Sequence, residues 1–168
     1  ATFTGKIISS FESALSAYVI LTAFIPMLMD TGGNAGGQSS VTIIRGLSLN
    51  EIGFKDLPKI IFKECKVAIL CGLTLAAANF VKLMVIDRVG VQVSLVVCLT
   101  LIAVVVIAKV VGCILPMCAK KVGFDPAVMA SPFITTIVDA ISLLIYFSIA
   151  TVRRRIEIGL NSEFNSRR

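Results

Sequence analysis

The sequence predicts an all-α fold, a polytopic bundle of five transmembrane helices. Hydrophobic residues make up 57% of the 168 residues and charged residues only 15%, which is more apolar than the surface of a soluble domain allows. Apolar runs of membrane-spanning length also recur along the chain, separated by short segments of loop-forming residues. We therefore expect a multi-pass protein of the plasma membrane or the cell inner membrane, surrounded by lipid.

Four apolar segments follow the N-terminal residues. The first of these, 14–29, has sixteen residues, and at about 1.5 Å per residue it is shorter than a hydrocarbon core of roughly 30 Å. Its helix is therefore expected to continue through the glycine-rich stretch that follows, toward residues 41–44. The segments 67–84, 91–115 and 132–152 are each long enough to span a bilayer.

The two ends of the chain are expected to differ from this pattern. Residues 1–11, ATFTGKIISSF, resemble half of a span and lack the charged flank of a signal peptide. We expect a first helix that is truncated by the start of the chain. The transmembrane domain is expected to cover residues 1–152, and residues 153–168 are expected to form a polar, basic and disordered tail.

Charge and cysteine patterns exclude two other classes of protein. Most of the sixteen basic residues lie in clusters between apolar runs without interleaved aromatics, which argues against a nucleic-acid partner and is typical of loops beside membrane spans. Both sides of the membrane would receive positive charge, so the positive-inside rule does not fix the orientation. Histidine is absent, and the five cysteines form no CxxC pair. We interpret the cysteines as small apolar residues rather than ligands of a soft metal.

The stretch 26–46 reads PMLMDTGGNAGGQSSVTIIRG and is polar at expected membrane depth. Such backbone is tolerated there only where protein buries it or water reaches it. Glycines at a spacing of four residues let two helices pack closely. A second, compatible interpretation is that they expose carbonyls to an ion or ligand, while Asn34 and Gln38 supply oxygens. The stretch lacks the Gly-Lys-Ser/Thr ending of a phosphate-binding loop. The glycines concerned are Gly32, Gly33, Gly36 and Gly37.

The last apolar segment carries one carboxylate, Asp139. A charge inside a span is costly and is a functional candidate by default. Helical spacing places Ser131, Thr135 and Asp139 on one face, with Ser142 close by. A structural alternative is that Asp139 pairs with a lysine of another helix, such as Lys109, or caps a broken helix.

Three segments together resemble the transmembrane domain of the MgtE family of magnesium channels and transporters. They are PMLMDTGGNAGGQSSVTIIRGL, FKECKVAILCGL and ILPMCAKKVGFDPAVMASPFITTIVDAISLLIYFSIA. The resemblance runs from about residue 1 to residue 150. Its most specific parts are the GGNAG-Q core and the pattern around Asp139.

The resemblance implies a homodimer with a central pore, lined by the second and fifth helices of both copies. It implies that Asp139 faces the pore and recognises hydrated magnesium, and that backbone carbonyls of Thr135 and Ser131 share the water shell. Carbonyls of the glycine region, at Gly32, Gly33 and Asn34, are expected to help. The family's cytoplasmic regulatory domain has no counterpart in this sequence, which puts gating by intracellular magnesium in doubt.

The predicted function is therefore transport and not enzymatic catalysis: a pore domain that conducts Mg²⁺, bound largely in its hydrated form. Magnesium gives up its waters reluctantly, so few direct ligands and several oxygens suit it. One alternative is a secondary transporter of an anionic solute, in which residues 32–38 break the helix and point helix N-termini at the substrate. Another is a structural membrane scaffold, for which Asp139 would be dispensable.

Overall fold

The computed structural model describes the backbone of residues 22–129 and 132–166, and the side chains of residues 22–128 and 133–152. Within these ranges every regular element is a helix, which confirms the predicted all-α fold. The elements are α1 (Ile25–Ser48), a 3-10 turn (Phe54–Asp56), α2 (Leu57–Val85), α3 (Val91–Val122), the short α4 (Pro126–Met129) and α5 (Pro132–Ser166).

Four of the five predicted spans correspond to α1, α2, α3 and α5. The first predicted span, at residues 1–11, lies outside the described residues. Among the described residues, three helical segments are long and apolar enough to cross a membrane: Phe54–Val85, Val91–Val122 and Phe133–Val152. Helix α1 has 24 residues but is less apolar, because glycines and amide side chains occupy its middle.

The observed helices are longer than the predicted spans. Helix α2 begins at Leu57 rather than at residue 67, with Pro58 in its first turn, where the missing N–H of proline costs no hydrogen bond. Helix α3 continues past residue 115 through Pro116 and ends at Val122, followed by Gly123 as its C-cap. Gly123 has a φ of 85°, the left-handed conformation that commonly terminates helices.

Helix α5 also extends beyond the predicted limit of the transmembrane domain. Its backbone is helical from Pro132 to Ser166, which includes most of the segment for which the sequence predicts a disordered tail. The division of the chain at residue 152 stays a prediction.

Helix α3 lies at the centre of the bundle, where it packs against α1, α2 and α5, and α1 also packs against α5. The largest buried side chains of the core include Leu28, Leu101, Leu143, Tyr146 and Phe147. Helix α2 instead exposes large apolar side chains along much of its length. These include Phe62, Leu70, Leu73, Val81 and Val85, and such a face is suited to contact with lipid.

Candidate cation site between α1 and α5

The glycines of α1 fall into two groups with different surroundings. Gly32 and Gly36 lie in the packed seam of the bundle. A Cβ atom on Gly32 would come within 2.8 Å of both Ser142 Oγ and Val104 Cγ1, and one on Gly36 within 3.1 Å of the carbonyl oxygen of Ala108. The predicted packing seam is therefore present, formed by α1 against α3 and α5.

Gly33 and Gly37 lie on a different face of α1. A Cβ atom on Gly33 would make only ordinary contacts, 3.6 Å from Thr135 Cγ2 and 3.9 Å from Asp139 Oδ1, and one on Gly37 would meet nothing within 4 Å. These two glycines are packed less tightly against other helices than Gly32 and Gly36: Gly37 is half-buried, and Gly33 is buried with only ordinary contacts to α5. The two interpretations of the glycine stretch thus apply to different glycines.

An open groove of about 740 Å³ runs along this face. Its α1 wall follows the helical stripe i, i+3, i+4, i+7 that places residues on one side of a helix. Its α5 wall contributes two residues one turn apart. The lining consists of Asp30, Gly33, Asn34, Gly37, Gln38, Val41, Thr42, Thr135 and Asp139.

Asp139 is half-buried on the α5 wall of the groove. Among the residues whose side chains are described, none donates a hydrogen bond to its carboxylate or forms an ion pair with it. Lys109, the partner considered above, is bound elsewhere: its Nζ lies 3.0 Å from Glu64 Oε2. The alternative in which Asp139 pairs with Lys109 is therefore wrong, because Glu64 holds that lysine.

Asp30 is a groove residue that the sequence analysis did not identify. It lies one helical turn before Asn34, whose Nδ2 donates a hydrogen bond to Asp30 Oδ2 at 3.2 Å. The two carboxylates, Asp30 on α1 and Asp139 on α5, line the same groove. The sequence could have indicated Asp30, because residues four apart, such as Asp30 and Asn34, are neighbours on a helix surface.

The structure brings together four of the six predicted site residues. Asp139, Thr135, Gly33 and Asn34 all line the groove. Gly32 lies in the packed seam instead, and Ser131 is outside the described residues. Ser142, expected near the polar face, is buried and donates a hydrogen bond to the carbonyl oxygen of Val138 at 2.7 Å.

Helix α1 is continuous from Ile25 to Ser48, through the whole glycine stretch. The sequence predicted this continuity from the shortness of the apolar run before it. A helix broken at residues 32–38, as the anionic-solute alternative requires, is not present.

The groove offers oxygen ligands and no soft ones. Its polar lining consists of carboxylates, amides, threonine hydroxyls and glycine backbone. All five cysteines are free thiols, and none lines the groove. No cluster of three or more His, Cys, Asp or Glu side chains able to hold a metal occurs in the described part of the chain. Few carboxylates and many neutral oxygens favour a hard cation that keeps much of its hydration shell.

Comparison with known proteins also points to a hard divalent cation. The MgtE family, described as divalent cation transporters, matches residues 25–149. The chain is similar to the magnesium transporter MgtE of Thermus thermophilus, with 37% identity over 153 residues, and to that of Bacillus subtilis, with 38% identity over 148 residues. The magnesium transporter MgtE of Enterococcus faecalis is 34% identical over 155 residues.

These alignments cover 88–90% of the chain but only 32–33% of each relative. The chain therefore spans about one third of the length of the curated relatives that it matches. The matched region contains α1, α2 and α3 and most of the apolar part of α5, so it includes both walls of the groove. The chain belongs to the MgtE family of divalent cation transporters.

Proposed function

We propose that this chain conducts Mg²⁺ through a pore whose walls are α1 and α5 of two copies, with Asp139 as the residue that recognises the ion. The observation that carries the proposal is the Asp139 carboxylate, which faces a groove lined with oxygen ligands and has no partner among the described side chains. An intramembrane carboxylate of this kind is expensive unless a cation accompanies it. The names of the relatives, which are magnesium transporters, support the choice of ion.

The proposed site recognises a hydrated ion. Magnesium prefers octahedral coordination at about 2.0–2.1 Å and usually keeps several of its waters in proteins. In the groove, Asp139 and Asp30 supply the charge, while Thr135, Asn34 and the groove-lining backbone at Gly33 exchange hydrogen bonds with the water shell. Gly32 and Ser131 stay in the proposal as contributors of backbone carbonyls.

The open side of the groove is the reason to propose a homodimer. A groove lined by two helices is half of a channel, and a two-fold axis would place a second, identical groove opposite it. Two Asp139 carboxylates would then face the same ion. Their mutual repulsion in a low dielectric would be relieved by a divalent cation between them.

Regulation is proposed to reside outside this region. The relatives are about three times as long as the matched segment, which leaves room for a cytoplasmic regulatory domain in the full-length protein. We propose that the transmembrane domain lies in the plasma membrane or the cell inner membrane.

The test is magnesium uptake into liposomes that contain the purified chain. We expect uptake of Mg²⁺ driven by its own gradient, reduced when calcium competes for the site, and independent of a proton or sodium gradient. Uptake that requires a fixed ratio of protons or sodium ions would contradict a channel. Absence of uptake by folded protein would contradict the proposed function itself.

A further inference from the structure

Lys109, in the middle of α3, lies inside the bundle with only 7% of its side chain exposed. Its Nζ lies 3.0 Å from Oε2 of Glu64 on α2 and donates a hydrogen bond to Oγ of Ser39 on α1 at 3.2 Å. Ser39 Oγ in turn donates to the same Glu64 oxygen at 2.8 Å. The three side chains thus close a triangle, with one member from each of three helices.

This triangle is unusual for its location. Glu64 and Lys109 belong to the two segments Phe54–Val85 and Val91–Val122, which are long and apolar enough to span a membrane. Ser39 is fully buried and the Glu64 side chain is 16% exposed. Charged side chains inside apolar segments of this kind are rare and costly, and those that occur are paired and frequently functional.

The triangle lies directly beside the groove. Ser39 follows Gln38, which lines the groove. Asn34 and Gln38 also line a second cavity of about 570 Å³ between α1, α2 and α3, and Lys109 forms part of the wall of that cavity. Lys109 therefore lines a cavity that shares Asn34 and Gln38 with the groove.

The triangle also lies about one helical turn from a close backbone contact between α1 and α3. Ser39 is three residues after Gly36, and Lys109 is three residues before Gly112; the backbones of Gly36 and Gly112 touch. Helices α1 and α3 run in the same direction, because Gly32 lies against Val104 and Leu47 against Lys120. The glycine contact fixes the distance between α1 and α3, and the triangle fixes their relative position along the helix axes.

We propose that Glu64 and Lys109 are positioning residues for ion conduction: their buried pair, closed through Ser39, holds the groove face of α1 in place and cancels the Lys109 charge beside the cation path. This inference rests on the proposed function. Neither residue touches the ion. Each acts on the groove through α1 and through the local electrostatic potential.

Single substitutions separate the electrostatic role from simple packing. Glu64→Gln leaves Lys109 uncompensated, and the added positive charge raises the magnesium concentration for half-maximal flux, by about tenfold at low ionic strength. Lys109→Gln leaves Glu64 uncompensated, and the added negative charge moves the half-maximal concentration in the opposite direction. A role in packing alone would lower flux in both variants without shifting half-saturation in opposite directions.

The charge-swapped variant Glu64→Lys/Lys109→Glu distinguishes a loss of folding from a change in ion conduction. It restores both the pair and the net charge, so we expect it to recover half-saturation close to that of the unmodified chain and a higher melting temperature than either single variant. Ser39→Ala removes the hydrogen bonds to α1 and leaves both charges paired. It is expected to lower maximal flux by a few fold without a shift in half-saturation.

The experiment is magnesium flux into liposomes, measured over a range of Mg²⁺ concentrations for the unmodified chain, Asp139→Asn, the two single variants, the swap and Ser39→Ala. Opposite shifts in half-saturation and recovery in the swap support the inference. The inference is overturned if both single variants shift half-saturation in the same direction, or if a folded swap has the same half-saturation as Glu64→Gln. In that case, flux that is lost in Asp139→Asn still supports the proposed function. Absence of flux in the unmodified chain overturns both.

Discussion

The backbone of Gly36 on α1 meets the backbone of Gly112 on α3 so closely that a Cβ atom on Gly112 would overlap the Gly36 carbonyl oxygen. A contact of this kind requires glycine on at least one side, because no side-chain movement can relieve an overlap with backbone. It positions α1 against the centre of the bundle, and thereby the groove on the other face of α1 against α5.

Gly112→Ala is expected to destabilise the bundle. The added methyl group must push α1 and α3 apart, at a cost of about 1–3 kcal/mol, as for other overpacked cores. The measurement is the unfolding free energy or melting temperature of the protein in detergent. Gly37→Ala is the control, because Gly37 also lies inside a helix and a Cβ atom there meets nothing within 4 Å. Equal stability of the two variants would contradict the close crossing.

Asp30→Asn is expected to weaken magnesium binding without unfolding the chain. Asp30 lines the groove and its side chain is exposed, so the loss of its charge lowers the attraction for a divalent ion while the hydrogen-bonding shape is kept. We expect half-maximal flux to require about three to ten times more Mg²⁺ at low ionic strength, and less of a difference at high ionic strength.

Asp87→Asn provides the matched control for the Asp30 variant. Asp87 also carries one exposed carboxylate, but it lies in the loop after α2, 3.7 Å from Lys82 Nζ. Its removal changes the net charge of the protein by the same amount. An equal effect of both variants would mean that Asp30 acts through overall charge and not through the groove.

Cross-linking tests the proposed dimer. In a background without the native cysteines, Val41→Cys places a thiol on the exposed wall of the groove, and Val85→Cys places one on the exposed end of α2. If two grooves face each other across a two-fold axis, a short bifunctional thiol reagent links Val41→Cys into dimers in native lipid and leaves Val85→Cys monomeric. The reverse pattern would place the interface on α2.

Much of the fold could be predicted from local sequence. The shortness of the apolar run 14–29 correctly predicted a helix that continues through the glycines, and the spacing of Thr135 and Asp139 correctly predicted that they share a face. The start of α2 was missed because Pro58 and the nearby lysines are typical of loops. In the structure, Pro58 lies in the first turn, where proline is tolerated.

The side-chain partners were harder to predict because they depend on tertiary contacts. Lys109 was a possible ion-pair partner of Asp139, yet it binds Glu64, which is 45 residues away in sequence. Glu64 lies in a segment that was predicted to be a loop. The separation of Gly32 from Gly33 likewise depends on which faces of α1 meet α3 and α5. Spacing alone places both glycines in one motif, whereas packing assigns them to the seam and to the groove.

The central claim is that Asp139 recognises the cation, and the most direct measurement is the magnesium flux of Asp139→Asn and Asp139→Glu in liposomes, with and without calcium. Asn keeps the shape and removes the charge, so we expect flux to be abolished while the protein stays folded and dimeric. Glu keeps the charge but moves it by one methylene, so some flux with weaker discrimination against calcium is expected, because calcium tolerates more flexible coordination. A folded, dimeric Asp139→Asn variant with full magnesium flux would contradict the claim.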